Sequence, residues 1–239
     1  MNISWMSETG AVRSHNEDRF LIDEGKGLFV LADGMGGHQR GDVAASMAVD
    51  TVKDEYSFWL AQNGNDPEMA ILKVMNLANI RVYEHATSHA DHLGMGTTLS
   101  MVYLHAGWLY YGHIGDSRIY MFRDGQIEQL TRDHTMVEEL VETGTISSEQ
   151  AKKHPRKNIL LKALGTQFEL NPDIGSLAIS SKDILIMMTD GVYEYIEEAE
   201  MATLLQEQSL DQAKSQMDYW IRQRGSKDNY TLLLIEVGE

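Results

Sequence analysis

Between Thr97 and Leu130 the chain has room for little but short strands. Four runs, Thr97–Leu104, Trp108–His113, Arg118–Phe122 and Gln126–Leu130, follow one another across tight turns, Arg123-Asp124-Gly125 among them. Apolar and aromatic residues fill much of each run, and the joining segments are too brief for a helix. The spacing predicts consecutive antiparallel strands, a meander.

The other elements must be arranged around that block. Phe20–Asp23 and Leu28–Ala32 read as strands about the turn Glu24-Gly25-Lys26-Gly27, and Ile184–Thr189 and Tyr230–Val237 as two more. From about Asp42 to Leu60, residues such as Ala45, Ala48, Val49, Val52 and Tyr56 fall at spacings of three and four, the mark of a helix with one apolar face. Asp66-Pro67-Glu68 opens a second helix running to about Glu84, a cap residue followed by proline at the first helical position. Residues 134–154 read as one or two short helices, and 197–223 as a helical pair. This order lacks the strand–helix alternation of a parallel sheet. It predicts an α+β arrangement, antiparallel sheets stacked face to face and covered by helices. The 239 residues, 43% hydrophobic, show no repeat and no low-complexity linker, so a single domain over 1–239 is expected.

Charge narrows the partners. The chain has 36 Asp and Glu against 20 Lys and Arg, a formal net charge of −16. A nucleic-acid backbone repels such a chain, and so does an anionic membrane surface. The absence of cysteine removes disulfides, thiolate nucleophiles and Cys-ligated zinc. The opening Met1-Asn2-Ile3-Ser4-Trp5 lacks the basic flank and apolar stretch of a signal peptide, and the longest apolar runs, Leu28–Ala32 and Ile184–Met188, are five residues. A cytoplasmic protein is expected.

Acidic residues gather at element ends. Asp33 follows an apolar strand and opens Asp33-Gly34-Met35-Gly36-Gly37-His38; Asp190 follows another and opens Asp190-Gly191; Asp228 precedes a third in Asp228-Asn229. Asp116 lies in Gly115-Asp116-Ser117-Arg118, and Glu17 and Asp18 end the stretch Arg13-Ser14-His15-Asn16-Glu17-Asp18. One Asp-Gly alone is a turn signal. Strand ends of one sandwich can converge at a single rim, however, and clustered carboxylates repel unless a cation neutralises them. An all-oxygen donor set suits Mg²⁺ or Mn²⁺, and the glycines after Asp33 let backbone carbonyls approach an ion. By themselves the residues point to a carboxylate metal site.

The same segments closely resemble the type 2C metal-dependent protein phosphatase family in its bacterial form. Arg13–Asp18, Asp33–His38, Gly96-Thr97-Thr98, Gly115–Arg118, Leu130–His134, Ala163-Leu164-Gly165, Thr189–Val192 and Asp228–Thr231 stand in the family's order over nearly the whole chain. The resemblance implies a four-layer α/β/β/α sandwich, two central antiparallel sheets flanked by helix pairs. It implies an enzyme that hydrolyses phosphoserine and phosphothreonine in proteins by attack of a water bridging two Mn²⁺ or Mg²⁺ ions. Asp33 is then the bridging ligand, the Gly34 carbonyl sits on one ion, and Asp190 and Asp228 complete the first site. Asp18, with Glu17 as the adjacent alternative, reaches the second ion, and Asp116 helps to hold a third, weaker one. Arg13 becomes the phosphate grip and residues 134–166 a flap beside the site. Phosphorylated proteins, a Ser/Thr kinase among them, are the implied partners, and a monomer is expected.

One position departs from the pattern. Some eukaryotic members place a histidine, proposed as general acid, two residues after the bridging aspartate, where this chain has Met35. His38 is the nearby candidate, with an acid role and a structural role both open. A planar guanidinium suits phosphate through two parallel charge-assisted hydrogen bonds, and a serine or threonine alkoxide needs a proton to leave. His85, His89 and His92 with Asp91 resemble a helical metal cluster, but their place at a helix end before a glycine turn favours a solvated surface. Ser117 sits where a nucleophile might be sought, and the family reading makes it structural. The 14 methionines read mostly as core filler. Two rivals stand beside the phosphatase: another two-metal hydrolase such as a phosphodiesterase or nuclease, which the charge disfavours, and a non-catalytic module of this fold, which would be expected to have lost ligands.

Overall fold

A computed structural model describes residues 1–36 and 40–238. Ten of its strands form two five-stranded antiparallel sheets. The first sheet holds β2 (Arg19–Asp23), β3 (Leu28–Ala32), β6 (Leu99–His105), β7 (Trp108–Ile114) and β10 (Asp173–Ala178), in the order β10-β7-β6-β3-β2. The second holds β1 (Asn2–Glu8), β8 (Arg118–Arg123), β9 (Gln126–Gln129), β11 (Ile184–Met188) and β12 (Tyr230–Glu236), in the order β1-β12-β11-β8-β9. A short ribbon pairs β4 (Gly34–Met35) with β5 (Gly96–Thr97).

Alternate residues of a strand point to opposite faces, and here both faces are covered. Leu28, Val30 and Ala32 of β3 pack against α1 (Gly41–Gln62) and α2 (Pro67–Ser88), while Phe29 and Leu31 meet Ile119, Met121, Leu185 and Leu233 of the second sheet. On the far side, Ile186, Leu232 and Leu234 pack on Met201, Leu204, Met217 and Ile221 of α6 (Glu198–Glu207) and α7 (Leu210–Gln223). The layers are therefore α/β/β/α, and burial on both faces explains why β3 and β11 are apolar throughout. Asp66 caps α2 by accepting from the Met69 amide at 3.2 Å, and Pro67 follows it. Among the described residues no helix is long and apolar enough to cross a membrane.

The structure corrects three local readings. The four strands after Thr97 are not one meander: β7 pairs with β6 and β10, whereas β8 pairs with β9 and β11. The turn Gly115-Asp116-Ser117 carries the chain from one sheet to the other, with Gly115 at φ +106°. Two edge strands also went unread. In β1 one of the two buried residues is Ser4, whose hydroxyl donates to Asp211 of α7 at 2.6 Å, and Trp5 lies half exposed against Phe20, which leaves Met6 as the buried apolar residue. In β10, a Cβ on Gly175 would come within 2.5 Å of the Tyr111 ring. Polar and glycine residues thus hold inward positions that a hydrophobic pattern cannot register.

Residues 134–166 leave the second sheet and return to the first. They contain α3 (Met136–Glu142) and α4 (Ser148–Lys152), and are tied at the base by bridges Thr135–Leu160 and Thr97–Leu164.

Candidate active site

Arg13, Glu17, Asp33, Gly34, Asp116, Asp190 and Asp228 line one cavity of about 540 Å³, together with Ser14, His15, Thr98, Asn158 and Leu160. Asp18 lies outside this lining and is 3% exposed. Except for His38, every site residue named from the sequence is thus on the cavity wall or, for Asp18, electrostatically coupled to Asp33. His38 falls in 37–39, outside the described residues.

Close backbone packing assembles the wall. Asp190 begins the short helix α5 (Asp190–Tyr193), and a Cβ on Gly191 would stand 2.0 Å from the Asn229 carbonyl oxygen. Only glycine lets the Asp190 and Asp228 loops meet that closely. Asn229 knits the far edge, accepting from the Glu17 amide at 2.8 Å and donating to the Thr9 and His15 carbonyls at 2.9 and 3.1 Å. Asp33 is clamped through its backbone: its amide donates to Thr98 Oγ1, and its carbonyl accepts from Thr97 Oγ1 and the Thr98 amide, each at 2.9 Å. Thr98 in turn shares a 2.7 Å hydrogen bond with Ser117, which is fully buried and structural, as expected.

Burial and mutual repulsion dominate the electrostatics. Asp33 and Asp190 are held well above the usual carboxylate range, first by burial and then by each other and the neighbouring aspartates. Burial raises Asp18 to about 6, although Thr231 and Thr189 donate to its Oδ2 at 2.7 and 3.1 Å. Burial, reinforced by Asp133, raises Asp116 to about 7. Asp18 Oδ1 is buried and accepts no hydrogen bond when Asp33 is ionised.

These donors fit a hard divalent cation. All are oxygens, several carry charge that burial makes costly, and one buried carboxylate oxygen lacks a donor. Among the described residues no three acidic or histidine side chains already converge as a metal cage.

Arg13 stands at the rim, its side chain 52% exposed, and donates to Asp228 at 2.7 Å. That hydrogen bond holds its pKa above the usual arginine value. The histidine cluster lies elsewhere. Arg40 donates to His92 Nε2 at 2.8 Å, which leaves the His92 proton on Nδ1 to be donated to His85 at 2.9 Å. His85 and His92 are half-buried in this chain of bonds, while His89 and Asp91 are exposed.

Sequence reasoning passed over several supports. Asn158 and Leu160 carry no charge pattern, and their place on the wall comes from distant pairing. Arg118 donates bidentately to Asp133, at 2.9 Å from Nε to Oδ1 and 2.7 Å from Nη2 to Oδ2, and its guanidinium lies 3.7 Å over the Tyr193 ring. One side chain thereby ties the Asp116 turn, the segment before 134 and helix α5. His134 grips the same turn: its amide donates to the Gly115 carbonyl at 2.7 Å, its Nδ1 accepts from the Gly115 amide at 3.1 Å, and its Nε2 donates to Asp173. The motif Leu130-Thr131-Arg132-Asp133-His134 signalled Asp133 and His134 without revealing their task.

Comparison with known proteins agrees with the cavity. A model of the family described as Protein phosphatase 2C matches residues 11–224. Serine/threonine phosphatase stp of Listeria innocua is 36% identical over 243 residues, covering 99% of this chain and 96% of that protein. The solved serine/threonine phosphatase of S. agalactiae is 34% identical with a TM-score of 0.87, covering 99% of each chain. The catalytic domain of the serine/threonine protein phosphatase PstP, solved in complex with two manganese ions, has a TM-score of 0.87 at 28% identity, covering 100% of this chain and 98% of that one. A metal-dependent serine/threonine phosphatase by fold and by likeness along its whole length, the chain belongs to the protein phosphatase 2C family.

Proposed function

We propose that this cavity hydrolyses phosphoserine and phosphothreonine in protein substrates. In this reading Asp33, Asp190, Asp228, Asp18 and the Gly34 carbonyl hold two divalent cations, manganese or magnesium, and Asp116 helps to hold a third, weaker one. The observation that carries the reading is the set of buried, mutually repelling carboxylates around one open cavity rimmed by a guanidinium. Bound there, such cations supply positive charge for the phosphoryl oxygens and a water acidified toward neutral pH.

The chain's own groups do the positioning. The Thr97 and Thr98 clamp fixes the backbone of Asp33 and so the point from which its carboxylate reaches into the cavity. Arg13 binds the substrate phosphate with its planar fork, and its contact with Asp228 holds it at the rim beforehand. Asp116 stands on the wall, where as a ligand of the third cation it would assist proton delivery to the departing alkoxide through water. His38 is the other candidate for that proton. Residues 134–166 form the flap, anchored by the Thr135–Leu160 and Thr97–Leu164 bridges. Phosphoserine and phosphothreonine are products of protein kinases, so the enzyme, acting as a monomer, reverses a Ser/Thr kinase.

Arg13→Ala tests the grip. With Mn²⁺ present, kcat/KM for a phosphothreonine peptide is expected to fall by roughly 10- to 10³-fold, much of it in KM. Unchanged kcat and KM would remove Arg13 from the site.

A second experiment separates nucleophile activation from departure of the leaving group. An aryl phosphate expels a fairly stable phenolate, whereas phosphothreonine expels a strongly basic alkoxide. Asp116→Ala should therefore depress kcat on the peptide far more than on the aryl phosphate, and His38→Gln should do so less sharply. Equal losses on both substrates for both variants would show that neither group assists departure.

A further inference from the structure

One half of the flap carries a dense run of positive charge. Five of the chain's 20 Lys and Arg, namely Lys152, Lys153, Arg156, Lys157 and Lys162, fall within eleven residues, and no Asp or Glu occurs between Gln150 and Phe168. The first half of the flap is opposite in character: it carries Glu138, Glu139, Glu142 and Glu149, and Arg132 pairs with Glu138 and Glu142. The basic half runs directly to the cavity, whose wall includes Asn158 and Leu160.

A strip that merely neutralised its neighbours would be fully paired. Lys152 and Lys157 do meet Glu197 and Glu194. Lys153, Arg156 and Lys162 have no ion-pair partner among the described residues, and Lys153 and Arg156 are exposed. Beside them Ile159 and Leu161 are 44% and 41% exposed, on either side of the cavity-lining Leu160. Free phosphate would use neither the apolar ledge nor cations spread along several residues, but an extended peptide entering the cavity would use both. In a chain of net charge −16 most of the surface repels a phosphoprotein, so a local cationic strip decides which substrates approach productively.

Resting on the phosphatase reading above, we propose that Lys153, Arg156 and Lys162 dock acidic residues flanking the phosphoresidue, so that the preferred substrates are phosphoproteins dephosphorylated within acidic sequence. The strip acts on approach and binding and leaves the bond-breaking step alone.

Three phosphothreonine peptides that differ only in their flanks, rich in Glu, Gln or Lys, test this with the Mn²⁺-loaded protein. At low ionic strength kcat/KM is expected to fall roughly tenfold or more from the acidic to the basic peptide, mainly through KM, and the spread should collapse in concentrated salt. The triple variant Lys153→Gln, Arg156→Gln, Lys162→Gln should erase the spread while leaving aryl phosphate turnover unchanged. The double variant Lys153→Gln, Arg156→Gln, which alters only exposed side chains, should narrow it even if the triple variant folds poorly. Peptides cleaved within twofold of one another, or a spread untouched by both variants, would overturn the proposal. Fluorescence anisotropy with non-hydrolysable phosphonate peptides reads docking apart from turnover. Acid-selective binding by a protein that cleaves no peptide would sink the phosphatase reading and keep the docking strip; turnover blind to the flanks would do the reverse. Sedimentation of the wild type, but not the triple variant, with phosphatidylserine vesicles, without any peptide preference, would make the strip a lipid contact and overturn the proposal.

Discussion

Asp33→Asn and Asp190→Asn are expected to lower turnover by on the order of 10³-fold or more and yet, in EDTA, to melt at a higher temperature than the wild type. Both carboxylates are buried among other aspartates, so each costs the metal-free fold electrostatic energy that a neutral amide does not. The sign of the pH dependence follows from the direction of the shifts. Folded-state values above the ordinary carboxylate range mean that the fold holds protons the unfolded chain has released. The corresponding stability is present near pH 4 and is lost as pH climbs through about 6 for Asp18 and about 7 for Asp116. The advantage of the Asn variants over wild type in EDTA should thus widen across that window. Mn²⁺ should invert the ranking, since ligand at a hundredfold excess over its Kd adds about 3 kcal/mol to whichever protein binds it. Thermal melts with and without metal, paired with phosphatase assays, provide the check. Asn variants less stable than wild type in EDTA, or a wild type fully active there, would sink the metal-centre reading.

Asp133→Ala should damage both stability and activity from outside the cavity wall. It strands the Arg118 guanidinium, whose side chain is 24% exposed and which otherwise bonds bidentately to Asp133, itself 11% exposed. Breaking a buried pair from one side leaves a charge without compensation and costs about 3 kcal/mol, the lower end of the usual range because the arginine is partly wet. For a chain of this size that lowers Tm by roughly 6–12 °C. Activity should fall too, because Arg118 links the turn bearing Asp116 to the helix that Asp190 begins. The double variant Arg118→Met, Asp133→Leu separates the two effects: it should recover much of the lost Tm while activity stays low. If the single substitution lowers Tm by less than 2 °C, the pair does not brace the site.

The carboxylate ring was legible because each aspartate ends an apolar run or sits in a glycine turn, a local pattern that survives without tertiary knowledge. Its supports were not. Nothing near Asn158 signals that chain folding brings it to the same wall as Asp33, and the crossing at Gly115–Ser117 depends on a buried hydroxyl contact with a residue 19 positions earlier. The α/β/β/α layering could be anticipated, since strands apolar on both faces require cover on both. The edge strands β1 and β10 escaped because Ser4 and Gly175 occupy inward positions for reasons of hydrogen bonding and close contact.

The pairing of β1 with β12, in the register Asn2 to Glu236, has a consequence for how the enzyme is made. The first sheet can close once synthesis reaches Ala178, since all five of its strands precede that point. The second cannot, because β12 lies between β1 and β11. At the usual pace of translation, the opening strand waits roughly ten to forty-five seconds for its partner to emerge from the ribosome. Asp228 stands two residues ahead of that last strand, so an unfinished polypeptide carries folded helices and half a sandwich but no complete ring of carboxylates. Catalytic competence therefore arrives only once β12 has emerged and taken its place between β1 and β11.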